Sequence, residues 1–541
     1  MPSSLYMDQC ITVVGTVSLQ QYIFRSNRLK ENIGASYLVT YWLDQGLIDT
    51  LRNEEFLIET SAWEAYKAGV APAAPAGATT DGEVIYVGGG NAALLFQTRE
   101  RAQQAIGIWS KKVLEEATGL RVAVGYGEVK TSLVAAYKEA LRDLEACENG
   151  LPFGASLLAL PVVRTCTSTG LPAVTQSDEE GDWISREASS KRKQVGMEYQ
   201  PGPAQQSIAQ AFRTTLAAPE RFAVQLDELG GREGESHIAV VHADGNGVGK
   251  LLTTVVARDT VDDAAFLHDV REFSASVARL AFTAFQQTLR RLKSALSLDR
   301  LTIRQPIFPI RPIVYGGDDL TFVCDGRLGL ELAAVYLQEF AQGKITVAGA
   351  PQAIDACAGV AIVPTKFPFA RAYAFAEELC TLAKKKRQER KQDGSWLDFH
   401  ISLEGATGSI DEVRQHQYRT LTGQQLYQRP YNVLEDWGTF VNILRHFRTW
   451  PRSRAKGLLQ ALVQGPGATQ RFVAGAHWRQ YMLPNPRGID ANASREGWTG
   501  GGAQSTTPYF DPLEALDFYL DGIPFSLEAA SEARAVERMA P

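Results

Sequence analysis

Several things are missing from this sequence, and each absence removes a class of function. None of the six cysteines, Cys10, Cys147, Cys166, Cys324, Cys357 and Cys380, forms a CxxC pair, so a zinc knuckle is not expected. No apolar run approaches the roughly 18 residues that a membrane helix needs. The opening "MPSSLYMDQCITVVGTVSL" has no basic region before its apolar run and no small-residue cleavage pattern, so it does not read as a signal peptide. There is no excess of basic residues either. Net charge is −6 and the pI is about 5.8, which disfavours wholesale binding of duplex DNA while leaving room for local basic patches. Sparse cysteines in apolar runs and the lack of a leader predict a reducing, cytoplasmic setting.

What is present is an ordinary globular composition. The 541 residues are 45% hydrophobic and 21% charged, enough for several cores in three or four domains. Residues 8–130 alternate strand and helix patterns. "CITVVGTV" reads as a buried strand, and Leu19 to Leu51 as a helical stretch interrupted near Gly34. "VIYVGGGNAALLF" reads as a hairpin around a Gly-rich turn, Arg99 to Thr118 as a helix and "LRVAVGYGEV" as a strand. Residues 237–402 repeat this order. "HIAVVHADG" is a strand and Asp262 to Leu296 a long helix, with Phe266, Val270, Phe273, Val277, Leu280 and Ala284 at helical spacing. "RPIVYGGDDLTFVC" is the second hairpin, Leu328 to Ala341 a helix and "ACAGVAIV" a strand. Phe367 to Lys391 is a further helix, with Phe369, Ala372, Tyr373, Ala376, Leu379 and Ala383 on one face.

The spacing supports a duplication. Thr16 and Asp244 each follow a buried strand, and each lies 72 residues before the first glycine of its hairpin turn, Gly88 or Gly316. Equal gaps and equal element order predict a duplicated β–α–β–β–α–β unit, an α+β fold of ferredoxin type. Between the units, Cys147 to about Gly234 contains the polar "TQSDEEGDWISREASSKRKQ", expected to be a surface excursion. After about Thr407 the pattern turns helical, in "VLEDWGTFVNILRHFRTW", "SRAKGLLQALVQG" and "TQRFVAGAHWRQYM". Asn485 to Thr507 is rich in Gly, Ser, Asn and Thr, which predicts a mobile loop.

The second unit carries acids that the first lacks. Asp244 follows strand one, and Asp318 and Asp319 sit at the hairpin turn. Strands one and three are neighbours in a ferredoxin-like sheet, so the three carboxylates are expected at one edge. Clustered hard oxygens suit Mg²⁺ or Mn²⁺, and three packed anions without a cation would repel. Gly316 and Gly317 permit a tight turn with room for a ligand beside the backbone. "DGNGVGK" (Asp244, Gly245, Asn246, Gly247, Val248, Gly249, Lys250) lies between a strand and a helix, whose first amides suit a phosphate. It is neither a Walker A loop nor GxGxxG. Lys384 follows the apolar stripe of its helix and is placed to reach inward, whereas Lys385 to Lys391 read as a solvated basic face. The first unit has Thr16, Gly90 and Asn91 at the acidic positions, so it is not expected to hold metal.

Together these segments resemble the palm domains of the large subunits of type III CRISPR effector complexes. Those proteins carry two palm domains, often one degenerate and one with "GGDD". Besides that motif, "VGTVSLQQYIFRSNRLKENIGASYLV" resembles the opening of the first palm and "TCTSTGLPA" the region between the palms. "CAGVAIVPTKFPFARAYAFAEELCTLAKKK" resembles the end of the second palm, and "RPYNVLEDWGTFVNIL" the start of the helical C-terminal domain. The resemblance implies a first palm over 1–146, a linker region without zinc ligands over 147–234, a second palm over 235–405 and a helical domain over 406–541.

It also implies conversion of ATP into cyclic oligoadenylate messengers with release of pyrophosphate, in antiviral defence. Asp244, Asp318 and Asp319 would then be metal ligands in a two-metal site, joined by the Gly245 carbonyl, and Lys384 would contact triphosphate. Asn246, Gly247, Gly249, Lys250, Gly316 and Gly317 would bind nucleotide on one side. Asn32, Gly34, Ser36, Gly89, Gly90 and Asn91 would do so on the other. The chain departs from the pattern in three ways. The palm is expected to begin almost at residue 8 with no HD nuclease before it, the family's zinc-binding cysteines have no counterpart beyond Cys166, and His268–Asp269 is a lone pair expected at the helix surface. Two other readings stand beside the cyclase. One is a non-catalytic palm scaffold that binds RNA or other effector subunits; the other is a cyclase that joins GTP into a dinucleotide.

Overall fold

A computed structural model describes residues 6–72, 80–151, 162–177, 181–197, 200–216, 219–229, 236–257, 262–296, 306–402, 408–485, 491–500 and 505–520. The first unit is built from β1 (Cys10–Val17), α1 (Leu29–Leu43), β2 (Gly82–Gly88), β3 (Asn91–Phe96), α2 (Arg99–Glu116), β4 (Arg121–Glu128) and α3 (Leu133–Gly150). Its strands pair in the order β2-β3-β1-β4, all antiparallel, with the short strand Ile58–Glu59 beside β2. That is the order of a ferredoxin-like β–α–β–β–α–β sheet. β1 is central because its β-branched, apolar residues suit a strand covered on both sides: Cys10, Ile11, Val13 and Val14 are all buried.

The second unit repeats this plan. A helix between the units, α4 (Arg186–Val195), precedes β5 (His237–Gly245), α5 (Val248–Val256), α6 (Asp263–Leu296), β6 (Ile310–Gly316), β7 (Asp319–Asp325), α7 (Gly329–Gln342) and β8 (Ala356–Pro364). The order is β6-β7-β5-β8. A crossover through α8 (Phe369–Arg390) adds β9 (Trp396–Ile401) parallel to β8, and Tyr431–Asn432 closes the edge. The stripes on α6 and α8 face the core as their spacing predicts. Phe266, Val270, Phe273, Val277, Leu280 and Ala284 are buried on one, and Phe369, Ala372, Tyr373, Ala376, Leu379 and Ala383 on the other. Each large apolar chain among them contributes roughly 1.5–3 kcal/mol by leaving water. Gly125 and Gly359 let a helix lie close on the fourth strand in each unit. A Cβ at either would stand 2.0 Å from a helix carbonyl, that of Ala140 or Ala376.

The two hairpins match residue for residue. Gly88 pairs with Asn91, and Gly316 with Asp319, 228 positions later. Both second strands carry a bulge, at Ile85 and at Ile313, again 228 apart. The first strands do not keep this offset. Asn91 lies opposite Gly15, whereas Asp319 lies opposite Asp244. Gly15, not Thr16, is therefore the counterpart of Asp244, and Thr16 corresponds to Gly245. The equal 72-residue gaps misaligned the copies by one position, because a buried apolar run has no internal landmark to fix register.

The units clasp each other through the bulges. Ser36 of α1 donates to the Ile313 carbonyl at 2.5 Å. Arg271 of α6 donates to the Ile85 and Val84 carbonyls at 3.3 and 3.1 Å and pairs with Glu83 at 3.0 Å. A bulge leaves a carbonyl outside the ladder, and in each unit a helix of the opposite unit satisfies it.

Other expectations are corrected. The helical stretch after β1 breaks at Arg25–Arg28 and at Asp44, not near Gly34, which lies inside α1. The polar stretch read as a surface excursion includes α4, packed on α1 with Glu187 and Lys191 buried as an ion pair at 2.7 Å. Asp178–Glu180 in that stretch lie outside the described residues. Asp269 is buried, so His268–Asp269 is not a surface pair, although His268 itself is exposed. The segment expected as a mobile loop contains the helix Ala491–Glu496 and a buried Trp498 whose Nε1 donates to Thr469 Oγ1 at 3.0 Å. Residues 486–490 and 501–504 of that segment lie outside the described residues. C-terminal to the second sheet, α9 (Trp437–Arg448), α10 (Arg452–Val463) and α11 (Pro466–His477) pack with Phe510–Glu514 around Phe447, Leu458 and Tyr509. Residues 521–541 of the expected helical domain lie outside the described residues.

Candidate active site

The site is built where β5 ends and the β6–β7 turn begins. Antiparallel pairing sets Asp244 directly opposite Asp319, and the Gly245 amide donates to the Asp318 carbonyl at 3.3 Å. Gly317 takes the positive φ, +68°, that a two-residue hairpin turn demands at its first central position, so the second can be a non-glycine residue, Asp318. In the first unit both central residues, Gly89 and Gly90, have positive φ. Gly245 is buried between the turn and α5. A Cβ there would lie 2.9 Å from both Asp318 Cβ and Val248 Cγ2, so only glycine lets the acidic turn close on β5.

Electrostatics mark the carboxylates. Burial and the neighbouring Asp244 charge push the Asp319 carboxyl up to about 7 and that of Asp318 up to about 6. Asp319 Oδ1 is buried without a hydrogen bond. The nearest cationic candidate, His242 Nδ1, lies 3.3 Å away, yet burial holds that imidazole below its ordinary range and therefore neutral. His242 Nδ1 also faces Thr321 Oγ1 at 3.1 Å. Lys384 of α8 forms an ion pair with Asp244 and reaches the Gly245 carbonyl at 3.5 Å. Against the cost of burial, the Asp244 charge holds that ammonium above its usual range.

The carboxylates share an edge but do not close into a cage. Among the described residues no three His, Cys, Asp or Glu side chains are gathered as a metal-ligand group, and the Lys384 ammonium stands against Asp244. The donors still fit a hard divalent cation. They are oxygens, two belong to carboxyls that resist ionising alone, and Asp319 Oδ1 is buried and unpartnered.

Around this edge, Gly247 and Gly249 are exposed at the start of α5 beside an exposed Lys250. Asn246 is committed elsewhere: its amide and side chain donate to Asp355 at 2.8 and 2.6 Å. Asp355 also takes Arg387 at 3.1 Å and the Gly394 amide at 2.7 Å, fixing the loop to the end of α8. Asp355 escaped sequence reasoning because nothing local marks it, and Arg387, read as part of the solvated basic face from Lys385 to Lys391, is instead half-buried and paired with Asp355. Tyr336 of α7 escaped as well. It is buried, its hydroxyl has no hydrogen bond, and burial with the Asp319 and Asp318 charges holds the phenol well above its ordinary range. A cavity of about 290 Å³ runs from Asp319 and Gly316 past Tyr336 and Tyr315 to Phe282 and Phe285.

The first-unit residues divide. Gly89 meets the second turn, a Cβ built on Gly317 falling 3.4 Å from Gly89 Cα, and Gly90 accepts from Thr16. Asn91 lies beside Gly15 in the first sheet. Asn32 and Gly34 are corrected as nucleotide contacts. Asn32 is fully buried, and with its carboxamide nitrogen turned to its neighbours it donates to the Ile23, Ser26 and Arg28 carbonyls. Gly34 lies under α4, where a Cβ would stand 1.9 Å from the Lys191 carbonyl. Ser36 is held by Ile313.

With this geometry, residues 237–393 match the family model of the Cas10/Cmr2 second palm domain. That stretch has a palm fold of the nucleotidyl cyclase type, and the chain as a whole resembles the large subunits of type III CRISPR effectors. Among solved structures, Csm1 of T. onnurineus aligns with a TM-score of 0.52 at 13% identity, over 94% of this chain and 69% of that one. A Csm1–Csm4 cassette in complex with one ATP aligns at 0.50 and 13%, over 95% and 70%. A cassette in complex with cA3 aligns at 0.50 and 13%, over 96% and 71%. At these identities the likeness is one of fold. No curated protein matches the chain in sequence. Among the described residues no helix is long and apolar enough to cross a membrane.

Proposed function

We propose that the second palm is a nucleotidyltransferase centre that joins nucleoside triphosphates, ATP first among them, into cyclic oligonucleotides with release of pyrophosphate. The observation that carries this reading is the register of Asp244 opposite Asp319, with Asp318 beside it and Lys384 on the same edge. Asp244, Asp318, Asp319 and the Gly245 carbonyl would hold Mg²⁺ or Mn²⁺, which supplies Lewis-acid polarisation of a phosphate and acidifies a ribose hydroxyl. The exposed amides at the start of α5 and Lys250 receive the triphosphate, and Lys384 exchanges Asp244 for the anionic oxygens. The cavity lined by Phe282, Phe285 and Tyr336 takes the base. The first-unit turn at Gly89 and Gly90, pressed against Gly317, lies beside the second nucleotide whose 3′-oxygen attacks the α-phosphate. A bond from that oxygen to phosphorus forms, the bond to pyrophosphate breaks, and the hydroxyl proton passes to solvent.

The solved cassettes of similar fold bind ATP and cA3, and in them Csm1 is joined to Csm4. That supports ATP as substrate and a role in a CRISPR-type effector, with a Csm4-like subunit as partner, in antiviral defence. One observation favours the scaffold reading: no closed metal-ligand group is present among the described residues. Incubation with each labelled NTP and Mg²⁺ or Mn²⁺, followed by mass spectrometry, separates the readings. Cyclic products from ATP support the cyclase, and products from GTP alone move the base preference. No product from any nucleotide, with or without RNA and partner subunits, leaves the scaffold.

A further inference from the structure

Arg311 has no role in the site described above, yet it is a buried charge. It lies on β6 with 2% of its surface exposed, and its Nε and Nη1 have no hydrogen-bond partner among the described residues. A buried guanidinium without an acceptor is costly to keep. Two groups act on it electrostatically, the Tyr315 phenol and the Glu228 carboxylate. Glu228 is already taken by Arg221 at 2.6 Å and by the Val224 and Gln225 amides. The duplication shows what is missing. The first-unit counterpart of Arg311, 228 positions earlier, is Glu83, which has its counter-ion in Arg271 at 3.0 Å. The same strand position thus carries a charge in both units; in the second unit it has no ion pair among the described residues, and the guanidinium stands over the Phe222 ring at 5.9 Å.

A cavity of about 280 Å³ opens at Arg311 between α1 and β6, covered by the helix Pro203–Ala211. Tyr37 and Tyr41, their rings stacked at 5.7 Å, line it with Ile208 and Ile313, and Ser207 adds a hydroxyl. Asp44 also lines the wall, but it pairs with Lys67 at 3.5 Å, so Arg311 is the charge on this wall without an ion pair among the described residues. We propose that this cavity is a binding site for a small organic anion, a carboxylate or phosphate monoester carrying an aromatic ring, whose oxygens Arg311 holds. A planar guanidinium meets such an oxyanion with two parallel donors, and the tyrosine and isoleucine walls receive the ring. The volume, near the lower end of ligand pockets, suits a single ring with its acid group.

The test uses the full chain with benzoate and phenyl phosphate as probes, read by saturation-transfer NMR and calorimetry. Saturable binding of at least one probe is expected, and which one binds separates a carboxylate from a phosphate ligand. Arg311→Met weakens it by about tenfold or more. Ser207→Trp, which fills the cavity and keeps the guanidinium, does the same and carries the test if Arg311→Met does not fold. Absence of saturable binding by both probes overturns the proposal. So does unchanged affinity in the variants, or displacement of the probe by ATP, which would assign it to the nucleotide cleft.

Discussion

Gly317 and Gly89 stand against each other where the two hairpin turns meet, a Cβ on Gly317 falling 3.3 Å from the Gly89 amide nitrogen. Gly317 also has φ of +68°. Gly317→Val therefore strains the turn and pushes the units apart, with an expected loss of about 1–3 kcal/mol. Gly316→Ala is the control, because nothing lies within 4 Å of its added carbon and its φ is not positive. Thermal melts of the two variants check this: Gly317→Val melts lower, and Gly316→Ala melts with the parent protein.

Asp319 tests the acidic edge in two opposite directions. Its folded carboxyl, raised to about 7, binds a proton that the unfolded chain has released above about 4. Stability from this group is therefore present at low pH and lost as pH rises through that window. Asp319→Asn removes the loss, so without divalent cations the variant is expected to be more stable by about 2–4 kcal/mol above pH 7 and little changed near pH 4. Urea titrations at the two pH values measure the difference. The same change abolishes nucleotide turnover, and the melting-temperature rise on adding Mg²⁺ to the parent protein disappears.

The bulge clasp gives unequal effects on its two sides. Arg271→Ala leaves Glu83 without its counter-ion and two buried carbonyls without donors, for an expected cost of about 3–5 kcal/mol. Ser36→Ala removes one neutral donor from the Ile313 carbonyl and costs about 1 kcal/mol. Equilibrium denaturation of both variants ranks them, and an equal cost would contradict the clasp.

His400 predicts acid sensitivity outside the site. Burial, with the Arg429 and Arg414 charges, holds its imidazole down to about 3. The neutral ring is at no disadvantage above the unfolded value of about 6.5, and stability is lost as pH falls from there toward 3. His400→Gln is expected to flatten that slope between about pH 6.5 and 4, read by melting temperature against pH.

The duplication, the hairpins and the stripes of α6 and α8 were legible because apolar periodicity and Gly-rich turns are local signals. The placement of Asp244 opposite Asp319 was legible because ferredoxin-like pairing brings the first and third strands together. What escaped was set by contacts between distant segments. Asn32 and Gly34 looked available for a ligand, yet Asn32 is spent on the Ile23, Ser26 and Arg28 carbonyls, and α4, in a stretch too polar to suggest burial, covers Gly34. Arg311 and Tyr336 sit in runs that read as plain strand and helix, and only packing reveals that their polar atoms lack partners. The alignment of Thr16 with Asp244 failed by one residue, since spacing in sequence does not carry strand register.

The offset at Gly15 bears on how alike the two copies could become. For the first copy to carry an acidic edge like that of the second, Gly15, Gly90 and Asn91 would all have to change. A side chain at Gly15 meets Asn91 Oδ1 at 2.8 Å, and one at Gly90 must accept φ of +80°. The change at Gly90 strains the turn whatever the space around it, so that step is the costly one. The two halves are held in unlike roles by the backbone itself.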